Sequence, residues 1–226
     1  MNRRTVTKDA SHQKIRATAS RMIRRDGLEA TSVHKVMKGS GFTVGGFYAH
    51  FDSRQQMIRH AFIEAVKQRR DRVNLLLEGR RPAEWLPRFL QDYLSAGHVD
   101  DRDNGCAWAA LLSELPRADL TTRRMAERLF DSSVAFYART LSEGGAPAAS
   151  SRSSRSREKN GAGKRAAARP SLSAREAALA SLAMAFGHLN LARMVVSPRL
   201  RKEILSTGLK AAAAISAAAA ATGDTR

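Results

Sequence analysis

Only one cysteine, Cys106, occurs in the 226 residues, which excludes a disulfide framework and any cysteine-rich zinc module. No run of about 18 apolar residues is present, and the alanine tract near residue 211 is too short and too weakly apolar to span a bilayer. The opening Met1-Asn2-Arg3-Arg4-Thr5 leads into no apolar stretch, so no secretory signal is visible. A soluble, cytoplasmic chain with no membrane partner is therefore expected. The histidines (His12, His34, His50, His60, His98, His188) form no metal-type spacing with one another or with cysteine. Gly-x-Ser-x-Gly, P-loop and dinucleotide fingerprints are also missing. Neither metal, cofactor nor enzymatic activity is expected.

Acidic residues are the other scarcity. Asp and Glu number 21 against 39 Lys and Arg, for a net charge of +18 and a pI near 11.3. Such a balance argues for a polyanionic partner, most often nucleic acid. The excess is concentrated: residues 1–51 hold ten basic and three acidic side chains, and residues 147–170 hold seven and one. The second stretch is rich in Ser, Ala, Gly and Arg without hydrophobic periodicity. It reads as a disordered basic linker spanning about 144–171, either a solvated loop or an arm that touches phosphates non-specifically.

What remains has helical spacing and no alternating strand pattern, so the expected fold class is all-α. Ile15, Ala19, Met22 and Ile23 form one stripe of a helix that stops near Gly27. Ser32 is placed to cap a short helix carrying Val33, Val36 and Met37, closed by Gly39 or Gly41. Thr43 could cap the next, whose Phe47 and Phe51 share a face, and Ser53 opens a long helix to about Leu77. Further helices are expected at about 83–97, 105–115, 121–142, 174–196 and 198–221.

Residues 32–51 thus describe two short helices joined by the glycine-containing turn Gly39-Ser40-Gly41-Phe42. A helix-turn-helix places its second helix in the DNA major groove. Gly45 and Gly46 in the first turn of that helix cost about 1 kcal/mol each relative to alanine. Close approach to the DNA backbone is one compensation, and the N–H groups at the helix start favour phosphate oxygens. Tyr48 and His50 lie off the Phe47/Phe51 face, where their polar tips can reach the backbone, and Arg54 adds a cation. Glycine at 45 and 46 leaves few side chains for base edges: Val44 could meet a thymine methyl and Thr43 a base or phosphate. Much of the affinity should therefore come from phosphates and DNA shape.

Thr31-Ser32-Val33-His34-Lys35-Val36-Met37-Lys38, followed by Gly39-Ser40-Gly41-Phe42-Thr43-Val44-Gly45-Gly46-Phe47-Tyr48-Ala49-His50-Phe51, resembles the DNA-binding segment of TetR-family transcriptional regulators. It looks most like a subgroup whose recognition segment reads Thr-Val-Gly-Gly-Phe-Tyr-Ala-His-Phe. The resemblance implies a three-helix DNA-binding domain, taken as residues 1–52, and a six-helix ligand-binding and dimerisation domain, residues 53–226. It also implies that Thr43, Val44, Gly45, Tyr48, His50 and Arg54 face DNA, with Ser32 near a phosphate. Arg54 stands where the family usually has lysine, and the basic linker departs from the family pattern.

In the regulatory half, Trp85, Phe89, Tyr93, Trp108, Leu112, Phe130 and Tyr137 are candidates for the wall of an apolar cavity that the resemblance implies, for an apolar or aromatic small molecule. Helical stripes of this kind also serve as plain core. Cys106 follows Gly105 at a helix start, where a dipole favours thiolate. Gly-Cys at that place occurs in electrophile- and oxidant-sensing members of the family, which makes Cys106 a candidate redox sensor. Asp100, Asp101 and Asp103 oppose a thiolate, and a lone cysteine is commonly a small buried hydrophobe. The alanine-rich last two helices suit a homodimer, hence a pseudo-palindromic operator in double-stranded DNA. Three readings follow: a ligand-responsive repressor, a low-specificity architectural DNA binder, or a helical scaffold borrowed by an enzyme or membrane-surface protein, which the lack of catalytic motifs disfavours.

Overall fold

α1 (Arg3–Asp26) buries Ile15, Ala19 and Ile23 completely and ends where Gly27 takes φ 90°, a conformation glycine adopts without strain. The computed structural model describes residues 3–144 and 172–220, so the basic stretch 147–170 lies outside the described residues. Ser32 caps α2 (Val33–Gly39), its hydroxyl accepting from the Lys35 N–H at 3.2 Å. Gly41, at φ 77°, turns the chain out of α2.

The following segment differs from expectation. Val44–Ala49 is a 3-10 helix rather than an α-helix, and the Thr43 side chain makes no cap bond. Two adjacent glycines in six residues favour the tighter i→i+3 pattern used in short pieces. Phe47 and Phe51 nevertheless share the inward face, each 1% exposed, with rings stacked 5.6 Å apart.

Ser53 then caps α3 (Arg54–Leu77), accepting from the Gln56 N–H at 3.1 Å. The helix expected over 83–97 is broken into α4 (Pro82–Tyr93) and α5 (Ala96–Asp100), because Ser95 accepts from the His98 N–H at 3.2 Å and starts a new turn. The helix expected over 105–115 shortens to α6 (Ala107–Leu111), with a separate 3-10 turn at Leu115–Arg117. Pro116 has no N–H to return to the Leu112 carbonyl, so an α-helical ladder cannot run through it and the chain re-forms as the tighter turn. α7 (Leu120–Gly144), α8 (Ala174–Met194) and α9 (Pro198–Ala220) complete the described residues, among which there is no strand. Ser173 and Glu176 form a reciprocal capping box at the start of α8.

Two apolar cores result. One joins α1, α2, the 3-10 helix and the first half of α3 to Ala107, Leu111, Leu115 and Met125 of the body. The other lies among the second half of α3, α4, α7, α8 and α9. Helix α3 passes through both, and Trp108 packs against both.

Candidate functional site

The locked pair Phe47/Phe51 forces the rest of the recognition segment outward. Tyr48 is 77% exposed and Val44 45%. Thr43 and Gly45 are exposed beside them, and a Cβ at Gly45 would meet nothing within 4 Å. Nothing inside the protein thus requires glycine at 45, and the backbone there can approach another surface closely. Ser32 is half-buried, with its oxygen engaged in the α2 cap. Lys35 and Lys38 are exposed on α2.

Two of the expected DNA-facing side chains are placed otherwise. Arg54 folds back onto the α1–α2 turn, donating to the carbonyls of Thr31 (3.1 Å), Glu29 (3.1 Å) and Leu28. Those carbonyls lie beyond the end of α1 and need donors, and the guanidinium fork supplies several at once. His50 is half-buried, its ring 6.0 Å from that of His12 and 6.3 Å from Phe42, with Nδ1 buried and unpartnered. His12 stacks on Phe51 at 4.6 Å and meets His60 edge-on at 5.7 Å. Burial, followed by the charges of His60, Arg16 and His50, holds the His12 pKa below the usual histidine value.

In the body, a cavity of about 50 Å³ lies between α3, α4, α6, α7 and α8. Four of the expected residues line it: Phe89, Tyr93, Trp108 and Tyr137. Three do not. Leu112 is half exposed, Trp85 bonds to the Arg80 carbonyl at 2.9 Å in a separate surface cleft, and Phe130 packs behind the wall against Trp108 at 5.4 Å. Lining residues missed from the sequence include Arg69, Arg70, Ser133, Leu182 and Phe186. Arg69 shares a helical stripe with Val66 and Val73, so an arginine at i+3 on an apolar face was the available signal. Arg69 pairs with Asp92 at 2.8 Å and lies 5.3 Å from the Tyr93 ring centre.

Cys106 also lines this cavity but is 3% exposed. It precedes a helix of only five residues, and its thiol makes no cap bond there. Its N–H donates to His98 Nε2 at 3.2 Å, while His98 Nδ1 lies 2.7 Å from the Tyr93 carbonyl. This arrangement fits the neutral ring with its proton on Nδ1. Burial first, and then the Arg69 charge, push the His98 pKa down to about 4.

Head and body are tied by side chains. Glu114, just after α6, accepts from the N–H groups of Leu28 (2.8 Å) and Glu29 (3.3 Å) in the α1–α2 turn. Arg24 donates to the Asp103 carbonyl at 2.6 Å and to Gln68 at 2.9 Å.

An outward-facing glycine-tipped helix held by a short second helix, on an all-α body, is the arrangement of a helix-turn-helix protein. Residues 15–61 match the family model of bacterial regulatory proteins of the tetR family. The uncharacterized HTH-type transcriptional regulator YxaF of Bacillus subtilis is 29% identical over 140 residues, covering 60% of this chain and 72% of that protein. A TetR transcriptional regulator from Chloroflexus aurantiacus superposes with a TM-score of 0.69 at 19% identity, over 90% of this chain and 94% of the other. One from Cytophaga hutchinsonii gives 0.71 at 15% identity, over 92% and 96%. The head is thus similar to the tetR-family helix-turn-helix segment, and the chain has the all-α fold of solved TetR-family regulators.

Proposed function

We propose that this protein is a homodimeric repressor that binds a pseudo-palindromic operator and is released by a small molecule. The observation that carries the reading is the exposure of Val44 and Tyr48 on a head whose Phe47 and Phe51 are fully packed. Thr43, Val44, Gly45 and Tyr48 form the proposed DNA face, with Ser32, Lys35 and Lys38 along the phosphates. Arg54 and His50 support that face from behind. The cavity supports the effector part: its wall includes Cys106, Ala107 and Trp108, and Glu114 a few residues on caps the α1–α2 turn. A ligand favouring one α6 position would thereby bias the head, releasing DNA only as far as its affinity differs between the two states.

Selection of bound duplexes from a random pool tests the reading. Enrichment of a two-fold symmetric sequence bound at least about 10³-fold better than random DNA at physiological salt is expected. The small number of base-reading side chains and the +18 charge favour a second reading, a low-specificity architectural binder. Failure to enrich any sequence, with strong binding to all duplexes, would establish that one instead.

A further inference from the structure

The cavity wall is uneven in a way that specifies what fills it. Two polar atoms on deeply buried side chains that line it have no hydrogen-bond partner: Tyr93 Oη, on a residue 1% exposed, and Arg69 Nε, on a residue 9% exposed. The polar neighbour of the Tyr93 hydroxyl is the Cys106 thiol, a poor acceptor. Buried polar groups are nearly always satisfied, so two orphans on one small cavity point to a missing partner. Arg69 Nε can only donate, and the Tyr93 hydroxyl can donate as well as accept. A guanidinium accepts nothing, and burial raises the Tyr93 pKa well above the ordinary tyrosine value, so its hydroxyl keeps the proton.

Charge narrows the partner further. Asp92 neutralises Arg69, but Arg70 lines the same cavity with no acid among the lining residues. The rest of the wall is apolar and aromatic, with Phe89, Trp108, Phe136, Tyr137 and Phe186. At about 50 Å³ the cavity exceeds the roughly 10–15 Å³ that one water needs but is only about a third of the roughly 150 Å³ that admits benzene, so its occupant is smaller than a ring. Arg70 is itself exposed, which gives a small anion a way in from the surface.

We infer that this cavity binds a small aliphatic monocarboxylate the size of acetate or propionate, its carboxylate accepting from Tyr93 Oη and Arg69 Nε. The inference deepens the effector reading above and rests on it only for the consequence to DNA. Isothermal titration of the DNA-free protein with acetate and propionate, and with ethylamine as the cation of similar size, tests it directly. Saturable binding of a carboxylate but not of ethylamine is expected. Tyr93→Phe, which keeps the ring, should weaken carboxylate binding about tenfold, since a hydrogen bond to a charged group is among the strong ones. Arg69→Lys, which keeps the charge but loses Nε, should weaken it as well. Absence of saturation by either carboxylate up to about 10 mM, or equal affinity in both variants, would overturn the assignment. Operator release is then measured separately. Carboxylate binding without release leaves the site standing and removes the effector reading; release by ethylamine alone does the reverse.

Discussion

Arg54 shows how a single side chain changes meaning once its surroundings are known. At the first position of α3 it reads as one more cation for phosphates, yet its guanidinium holds three carbonyls of the α1–α2 turn. Arg54→Ala should therefore cost about 1–3 kcal/mol of stability in denaturant unfolding while leaving the salt slope of DNA binding near its original value. Tyr48→Ala, at an exposed position, should do the opposite: unchanged stability and weaker binding to all operator variants alike in a mobility-shift titration. A fall of about one unit in the salt slope for Arg54→Ala would return that residue to the phosphates. No local pattern could reveal this, because the carbonyls it serves lie 23 to 26 residues earlier in the chain. Phe47 and Phe51 were legible because the Phe51 N–H bonds to the Phe47 carbonyl at 3.1 Å, and this single i→i+4 turn sets both rings on one face although the segment is otherwise 3-10. His98 gives a second test at this scale. Its pKa of about 4 in the folded protein lies below the ordinary 6.5, so only the unfolded chain takes up a proton between those values. The stabilisation is complete above pH 6.5 and is lost as pH falls towards 4. At about 1.4 kcal/mol per unit this is on the order of 3 kcal/mol. Unfolding in urea at a series of pH values should show that loss in the wild type and a flatter profile in His98→Gln.

Among the elements, the short stretch from Asp100 to Leu115 does the most to connect the molecule. One end of α6 forms part of the cavity wall, and Glu114 beyond its other end holds the N–H groups of Leu28 and Glu29. Gly27 fits the same contact, since a Cβ there would collide with the Glu114 carboxylate. Glu114→Ala should orphan both N–H groups, lower stability by about 1–3 kcal/mol, and speed amide hydrogen exchange at Leu28 and Glu29. Unaltered exchange at those two amides would remove Glu114 from any route between cavity and head. Most elements were legible because their boundaries are chemical: Ser32, Ser53 and Ser173 cap α2, α3 and α8. The errors fell where local signals compete. Ser95 restarts a helix that apolar spacing alone would continue, Pro116 cuts another, and paired glycines tighten the recognition helix into a 3-10 form. Cavity residues were half legible for a related reason. Periodicity tells which side of a helix is buried but not which neighbour it meets, so Phe89 and Tyr93 were found while Phe186 and Arg69 were not.

For the whole molecule, the decisive surface is on α8. Leu179, Ala183, Gly187, Leu191 and Met194 recur at three- and four-residue spacing, and all are exposed. This stripe carries no charge although the chain has a large excess of it, and Met194 is 69% exposed and Leu191 46%. Continuous apolar faces of this kind are uncommon on monomers, and small residues at their centre let a second helix approach closely. Gly187 separates the alternatives. Within one protomer a Cβ there meets nothing within 4 Å, so Gly187→Arg fits the isolated fold. It should even stabilise a monomer by up to about 1 kcal/mol, because arginine is the better helix former. If α8 packs against its two-fold mate, the same side chain is driven into the interface. Light scattering should then report a wild-type dimer and a Gly187→Arg monomer, with lower thermal stability that no longer depends on protein concentration. Operator affinity should collapse as well, because two recognition helices reach successive major grooves only when the pair is held together. A Gly187→Arg protein that melts higher than the wild type and binds operator unchanged would place the interface elsewhere.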